Sequence, residues 1–266
     1  MRTPIETQAF GDESKQAIFM VSGWAMPKEV MADFAKSLSG HFYVVVANLP
    51  GISLDEQWIS KTRIGPNYDI DALSEQLIAV APNSAWWLGW SLGGMIATYV
   101  AARRSSCVEG LITFSSAPSF VERDGWGHAM SLADFDAFAN LIAEQPEQGL
   151  KRFVTLQSKG AKNERALVKQ LQALLPMNNL NKAALVGGLR LLKTLDVRRE
   201  LFLLDVPNLH LFGGRDALVS AHCLQQLEVN PLQQSLVLPE CAHQAFLEDE
   251  ATCVQMVENF INANNP

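Results

Sequence analysis

The chain has 266 residues, of which 48% are hydrophobic and 18% are charged, and its formal net charge is −7. This composition predicts a folded chain with a large core, and the acidic balance argues against general binding to nucleic acid or to anionic membranes. The N-terminal stretch has no apolar secretion signal and no run approaches about 18 apolar residues, so we expect a cytoplasmic protein without a membrane span.

Apolar runs of the length of buried strands alternate with helical patterns along much of the chain. The predicted strands lie at 17–21, 42–47, 85–89, 110–116, 208–213 and 234–240. The predicted helices between them lie at 27–39, 69–80, 91–104, 220–228 and 244–263. This alternation predicts an α/β fold with a mostly parallel sheet.

The alternation stops between about residues 117 and 199, where only helical patterns appear. They cover 131–143, 147–158, 164–175 and 180–194. Asn163 is a candidate cap of the third of these helices, and Pro176 a candidate stop. We therefore predict an all-helical cap at 118–197, inserted into a core formed by 1–117 and 198–266. Such a cap would lie over the carboxyl edge of the sheet, where open α/β folds bind ligands.

The four cysteines show no C-x-x-C spacing. Four reduced thiols are therefore expected, rather than a disulfide framework or a metal site.

The sequence GWSLGG places Ser91 between glycines, after one predicted strand and at the start of a predicted helix. This is the setting of a nucleophile elbow, in which side chains at Gly89 and Gly93 would collide with the neighbouring helix and strand. The helix would also direct its positive N-terminal end toward a developing oxyanion. A chance match is the alternative, so residues elsewhere must complete the site.

A serine hydroxyl needs a base that is itself oriented. His243 lies between the strand at 234–240 and the last helix, and Asp216 directly follows the strand at 208–213, whereas Asp205 precedes that strand. The order Ser91, Asp216, His243 is the one expected of an α/β-hydrolase triad, and unrelated polar loop residues are the alternative. Structural or surface roles are expected for the remaining histidines, which are His41, His128, His210 and His222.

The oxyanion hole of such a site needs two backbone N–H donors. Leu92 directly follows the nucleophile, and Trp24 lies in the loop SGWAMP after the strand at 17–21, where Gly23 allows close backbone approach. A packed core tryptophan is the other interpretation of Trp24. The two roles are compatible, because the donor is a backbone group.

Several segments of the chain resemble the pimeloyl-[acyl-carrier protein] methyl ester carboxylesterases of biotin synthesis. They are GWSLGG, SGW, SSAPSFVERDGW, RFVTLQSKG, ALLPM, GGLRLLKTLD and the AH of 242–243. The resemblance covers almost the whole chain, including the predicted cap. It implies a monomeric serine carboxylesterase without a cofactor, with Ser91, Asp216 and His243 as the triad and Trp24 and Leu92 as the oxyanion hole. It also implies a substrate tunnel lined by Phe153, Val154, Thr155, Leu156 and Gln157.

By the same resemblance, basic residues of the cap would bind the acyl carrier protein. Residues 151–169 hold six lysines and arginines against Glu164 alone. We expect Arg152, Arg165 and Lys169 to be the main contacts, and an ordinary solvated face is the alternative.

The chain departs from the family at three positions. Ser22 stands where the family usually has a histidine, and Gln148 and Lys169 stand where it has arginines. A general short-chain carboxylesterase or thioesterase is the nearest alternative function. A non-catalytic binding protein of the same fold is a further alternative, which the complete Ser-Asp-His set disfavours.

Overall fold

The computed structural model describes residues 5–61, 68–103, 105–177, 180–227 and 230–265. Its strands are β1 (Thr7–Phe10), β2 (Ala17–Val21), β3 (Tyr43–Ala47), β4 (Ala85–Trp90), β5 (Val108–Phe114), β6 (Asn208–Gly213) and β7 (Gln233–Leu238). They form one sheet in the order β1-β3-β2-β4-β5-β6-β7, in which β1 is antiparallel to β3 and the other described pairs are parallel. The prediction of an α/β fold with a mostly parallel sheet is confirmed.

The α-helices of the described part follow in chain order. They are α1 (Ala32–Leu38), α2 (Glu56–Lys61), α3 (Ile70–Ile78), α4 (Leu92–Arg103), α5 (Leu132–Glu144), α6 (Pro146–Ser158), α7 (Glu164–Ala173), α8 (Lys182–Thr194), α9 (Arg198–Phe202), α10 (Ala245–Glu248) and α11 (Glu250–Asn264). None of these helices has the length and apolar content needed to cross a bilayer.

The central strands form the core of the molecule. Every residue of β2, β4 and β6 is buried, because helices cover both faces of a parallel sheet and leave no polar face on its strands. Two groups of helices pack on the sheet: α1 contacts β3 and α11, while α4 contacts β4, β5, α3 and α9.

Between β5 and β6 the described residues form helices and isolated bridges only. Here α5 packs against α6 and α8, and α6 against α7. The two ends of this segment lie next to each other. The Val197 N–H donates to the Pro118 carbonyl at 2.8 Å, and Ser119 and Asp196 form an isolated antiparallel β-bridge. The division into a core and a cap stays a prediction.

Three short elements, β1, α2 and α9, were not predicted from the sequence. β1 is an edge strand whose residues Thr7–Phe10 are mostly exposed, so it carries no apolar pattern. The predicted strand at 110–116 begins and ends two residues earlier, since Ser115 turns out of it with a φ of +44°.

Two helix predictions also need correction. The pattern at 220–228 forms a 3-10 helix, Ala221–Gln226, and Asn163 precedes α7 without a side-chain hydrogen bond to it. Residues 104 and 228, where two of the predicted helices end, lie outside the described residues.

Candidate active site

Four parallel strands end at one edge of the sheet, and the loops after them carry the predicted site residues. β2 leads to Trp24, β4 to Ser91, β6 to Asp216 and β7 to His243. The carboxyl ends of parallel strands are where open α/β sheets bind ligands. The fold thus brings segments that are distant in sequence to the same edge.

Ser91 lies in a strained turn between β4 and α4. Its φ is +54°, a left-handed conformation that is uncommon for a residue with a side chain. A Cβ atom on Gly89 would lie 2.4 Å from the Gly93 carbonyl oxygen, and one on Gly93 would lie 2.3 Å from the Val21 carbonyl oxygen. Only glycine allows this close approach, which holds the serine in its turn.

Hydrogen bonds from β5 and the residues after it fix the backbone of Ser91. Its N–H donates to the Phe114 carbonyl at 3.0 Å, and the Ser116 hydroxyl donates to the Ser91 carbonyl at 2.8 Å. This role of Ser116 was not predicted from the sequence, because the residue falls inside the predicted strand at 110–116. A serine just past a strand at the ligand-binding edge was the available signal.

Asp216 and His243 form a hydrogen bond between two fully buried side chains. The distance from His243 Nδ1 to Asp216 Oδ2 is 2.7 Å. Asp216 Oδ1 accepts from the N–H groups of Leu218 and Val219 at 2.8 and 3.0 Å. Since a carboxylate only accepts, the His243 Nδ1–H is the donor, and in the neutral form of the ring Nε2 carries a free electron pair.

The backbone carbonyl of His243 contacts β4, the strand that leads to Ser91. The indole N–H of Trp90, the residue before Ser91, donates to the His243 carbonyl at 3.0 Å. His243 Nε2 is buried and has no hydrogen-bond partner among the described residues. An oriented imidazole with an unpaired nitrogen is what a general base requires.

The loop after β2 is also tightly held. Trp24 is 2% exposed, and its indole N–H donates to the Leu185 carbonyl of α8 at 2.9 Å. The backbone N–H of Ser22 donates to the Ala47 carbonyl at 3.3 Å, and this bond attaches the loop to β3 without involving the serine side chain. Leu92 is the first residue of α4 and is fully buried.

A cavity of about 610 Å³ lies among α5, α6, α8 and the loop after Asp216. Most of its lining is apolar, with Phe135, Phe138, Leu189, Leu192 and Leu218 among the lining side chains. Ser91, His243 and Trp24 are not among the lining residues, but the ring of the lining residue Phe153 lies 4.7 Å from the ring of Trp24.

Only two of the five residues predicted to line a substrate tunnel line this cavity. Phe153 and Leu156, which share a face of α6, line the cavity, whereas Val154, Thr155 and Gln157 do not. Val154 and Gln157 are buried. The Thr155 side chain is exposed and donates to the Lys151 carbonyl at 3.0 Å, so it lies on the outer face of the helix.

The residues predicted to contact a carrier protein lie on α6 and α7. Arg152 lines the cavity, and Arg165 and Lys169 are exposed one helical turn apart. No salt bridge within the described ranges involves these three residues or the neighbouring Lys151, Lys159 and Lys162.

The remaining histidines lie elsewhere. His210 is buried in β6, His41 is exposed 3.9 Å from Glu258, and the rings of His128 and His222 are 6.0 Å apart. All four cysteines are free thiols. The described residues contain no group of three or more histidine, cysteine or acidic side chains that could hold a metal ion.

Comparison with known proteins gives one family. The sequence pattern of the alpha/beta hydrolase family matches residues 18–255. A pimeloyl-[acyl-carrier protein] methyl ester esterase of Vibrio campbellii is 33% identical over 97% of this chain and 99% of its own length. The esterase of the same name from Vibrio cholerae is 32% identical over 91% of this chain and 93% of its own length.

Solved structures agree on the fold. An esterase from Exiguobacterium antarcticum is similar with a TM-score of 0.83 at 20% identity, covering 97% of this chain and 95% of that one. An enol-lactonase from Burkholderia xenovorans is similar with a TM-score of 0.80 at 16% identity, covering 97% and 96%.

Proposed function

The chain belongs to the alpha/beta hydrolase family, and from this premise we propose that it is a serine carboxylesterase that hydrolyses the methyl ester of a pimeloyl group on acyl carrier protein. The reaction would serve biotin synthesis, as the pimeloyl name of the relatives suggests. The observation that carries the proposal is the buried Asp216–His243 pair, joined through Trp90 to the turn of Ser91.

In the first half of the reaction, Ser91 Oγ attacks the ester carbonyl while His243 Nε2 accepts its proton. Asp216 holds the imidazole in the required tautomer and stabilises its cation. The backbone N–H groups of Trp24 and Leu92 stabilise the oxyanion. His243 then gives the proton to the departing methanol, which leaves an acyl-enzyme on Ser91.

In the second half, His243 removes a proton from a water molecule, which attacks the acyl-enzyme. Collapse of the tetrahedral intermediate returns the proton to Ser91 and releases a free carboxylate. The thioester to the carrier lies at the opposite end of the acyl chain and stays intact. No metal or organic cofactor takes part in these steps.

The cavity beside α6 supports a long substrate over a short one. Its apolar lining suits a methylene chain, and Phe153 places it next to Trp24 of the oxyanion loop. Arg152 at the same cavity and the exposed Arg165 and Lys169 suit an acidic carrier protein. Residues 118–197 would then act as the cap that receives the carrier, over a core formed by 1–117 and 198–266.

A general short-chain esterase or thioesterase is the competing function, and it would use the same three residues. The proposal favours the carrier-linked methyl ester because the similarity to the named relatives runs over nearly the whole chain, helices α5–α8 included. It places the reaction in the cytoplasm, where the four thiols stay reduced.

The decisive test compares turnover of pimeloyl-carrier-protein methyl ester with turnover of a simple aryl ester. We expect the wild-type protein to prefer the carrier-linked ester in kcat/KM. Ser91→Ala and His243→Ala should each lower kcat on the order of 10⁴–10⁶-fold, and the double variant little more, because triad residues act as a unit. His41→Ala, at an exposed histidine, is the matched control and should keep wild-type activity.

Two results would contradict the proposal. Full turnover by a folded Ser91→Ala variant would exclude the serine mechanism. A wild-type preference for the aryl ester would be compatible with the serine mechanism, but it would show that the protein is a general esterase and not one for the carrier-linked ester.

A further inference from the structure

Hydrogen bonds to three successive residues hold the segment that carries His243. The Arg215 N–H donates to the Cys241 carbonyl at 2.9 Å, and the Ala242 N–H donates to Glu248 Oε1 at 2.8 Å. The Trp90 indole holds the His243 carbonyl, as described above. Glu248 therefore contributes a charged side chain to the positioning of this segment.

Glu248 is the last residue of α10, five residues after His243, and its surroundings are unusual for a glutamate. Its side chain is partly buried, and Oε2 is buried without a hydrogen-bond partner among the described residues. An acceptor that is buried and unpaired costs stability, so a carboxylate kept in this position needs a compensating role.

The charged and titratable groups that face Glu248 include two residues of the candidate site. They are Asp216, His243, Arg215 and the thiols of Cys241 and Cys253. Burial raises the pKa of Glu248, and the Asp216 carboxylate raises it further, whereas the Ala242 N–H, His243 and Arg215 oppose the rise. Two carboxylates thus flank this segment: Asp216 accepts from His243 Nδ1 at 2.7 Å, and Glu248 accepts from the N–H of the neighbouring Ala242 at 2.8 Å.

We propose that Glu248 is a positioning residue for His243: its Oε1 fixes the backbone N–H next to the base, and its negative charge stabilises the imidazolium formed when Ser91 attacks. This inference rests on the proposed function, because it assigns Glu248 an effect on that reaction. The charge effect does not follow from the hydrogen bond alone, since a neutral acceptor would hold Ala242 equally well.

Two substitutions separate the hydrogen bond from the charge. Glu248→Gln keeps an amide oxygen that accepts from Ala242 and removes the negative charge, whereas Glu248→Ala removes both. Glu258→Gln, in the middle of α11, removes the same charge at a site away from residues 241–243 and serves as the control. The readout is the pH profile of kcat and KM with a small aryl ester, between about pH 5 and 9.

We expect Glu248→Gln to move the acidic limb of the kcat/KM profile to lower pH by about 0.5–1 pH unit, because the cationic ring loses a stabilising charge. In the same variant kcat on the plateau should fall by about 3–10-fold, with KM within about twofold of wild type. Glu248→Ala should lower kcat further, and Glu258→Gln should match the wild-type protein throughout.

An acidic limb at the wild-type pH in Glu248→Gln would overturn the inference, and this variant decides the matter even if Glu248→Ala fails to fold. An equal shift in Glu258→Gln would also overturn it, because the effect would then be one of net charge. Failure of the proposed function is distinguishable, since it appears as turnover by Ser91→Ala in the same assay. That result would remove both proposals, whereas an inactive Ser91→Ala with an unshifted Glu248→Gln would remove only this one.

Discussion

His210 shows how the fold treats a histidine that faces no carboxylate. It lies in β6, where its Nδ1 is 2.7 Å from Thr113 Oγ1 and its Nε2 is 3.1 Å from Asn208 Oδ1. These two partners satisfy a neutral ring. Burial lowers the pKa of His210 to about 4, because the sheet offers its cation no counter-charge.

This shift predicts a dependence of stability on pH. The pKa of His210 is about 6.5 in the unfolded chain and about 4 in the folded one. The unfolded state therefore binds the proton more tightly, and the fold loses stability as the pH drops from about 6.5 toward 4. Between pH 7 and pH 5 the free energy of unfolding should decrease by about 2 kcal/mol through this group.

Chemical denaturation at the two pH values measures this loss. His210→Gln should show a smaller decrease in unfolding free energy than the wild-type protein, by about 2 kcal/mol. His41→Gln, at an exposed histidine, should behave as wild type. An equal decrease in wild type and His210→Gln would mean that other groups cause the acid sensitivity.

At this scale the sequence predicts positions better than contacts. Ser91, Asp216 and His243 each follow an apolar run, so their placement after strands could be predicted from the sequence. The roles of Trp90 and Glu248 could not, since an indole in a buried strand resembles any core residue. The hydrogen bond between the Trp90 indole and His243 joins residues that are 153 positions apart in the chain. Only the order of strands in the sheet brings them together.

Helix α6 shows what amphipathic patterning does and does not specify. Gly149, Leu150, Phe153, Val154 and Gln157 are buried, and the pattern predicts such a face. Burial does not tell which neighbour a side chain meets, however. Phe153 and Leu156 reach the cavity and Val154 does not, because that depends on where α5 and α8 pack.

Short elements carry too little pattern to be predicted from the sequence. The strand β1 and helix α9 have four and five residues, too few to show a period. Longer elements such as α8 and β6 were predicted within two residues of their observed ends, because each has a full apolar face or a continuous buried run.

Phe153 gives a prediction that separates cavity lining from simple packing. Its ring contacts Trp24 and Phe138, at 4.7 and 5.7 Å between ring centres, and it lines the cavity. Phe153→Ala should raise KM for long acyl esters by about tenfold more than for acetyl esters, because a long chain loses contact with the ring. Steady-state kinetics over a series of aryl esters of increasing chain length measures this.

Leu150→Ala is the matched control for this series. Leu150 is fully buried on the same helix and is not among the residues that line the cavity. It should cost about 2–5 kcal/mol of stability and leave the ratio between long and short esters unchanged. An equal loss for both chain lengths in Phe153→Ala would assign that ring to packing alone.

Charge is unevenly distributed over the whole molecule. Residues 151–169 hold six basic residues against Glu164, a net charge of +5, so the rest of the chain carries −12 to reach the total of −7. The six basic side chains are exposed. A positive region on an acidic protein attracts an acidic partner to one location and repels it elsewhere.

Arg165 and Lys169 provide the test of this surface. Changing both to glutamate should lower kcat/KM for the carrier-linked ester by at least about tenfold, because the charges that steer an acidic carrier are reversed. Added salt should slow the wild-type reaction with this substrate, since ions screen exposed charges beyond roughly 10 Å. Hydrolysis of a small aryl ester should change little under either treatment.

The control changes net charge by the same amount at another place. Lys36 and Arg199 are exposed on α1 and α9, and reversing both should leave carrier-linked turnover near wild type. If the Arg165 and Lys169 reversal spared carrier-linked turnover, or slowed both substrates alike, the region would be ordinary solvated surface.

The indole of Trp90 has a mechanical consequence. It is fully buried against Phe246, and it joins the strand before Ser91 to the carbonyl of His243. Any movement of the His243 segment relative to β4 must stretch or break this hydrogen bond. The indole therefore opposes a change in the spacing between the turn of Ser91 and the loop of His243.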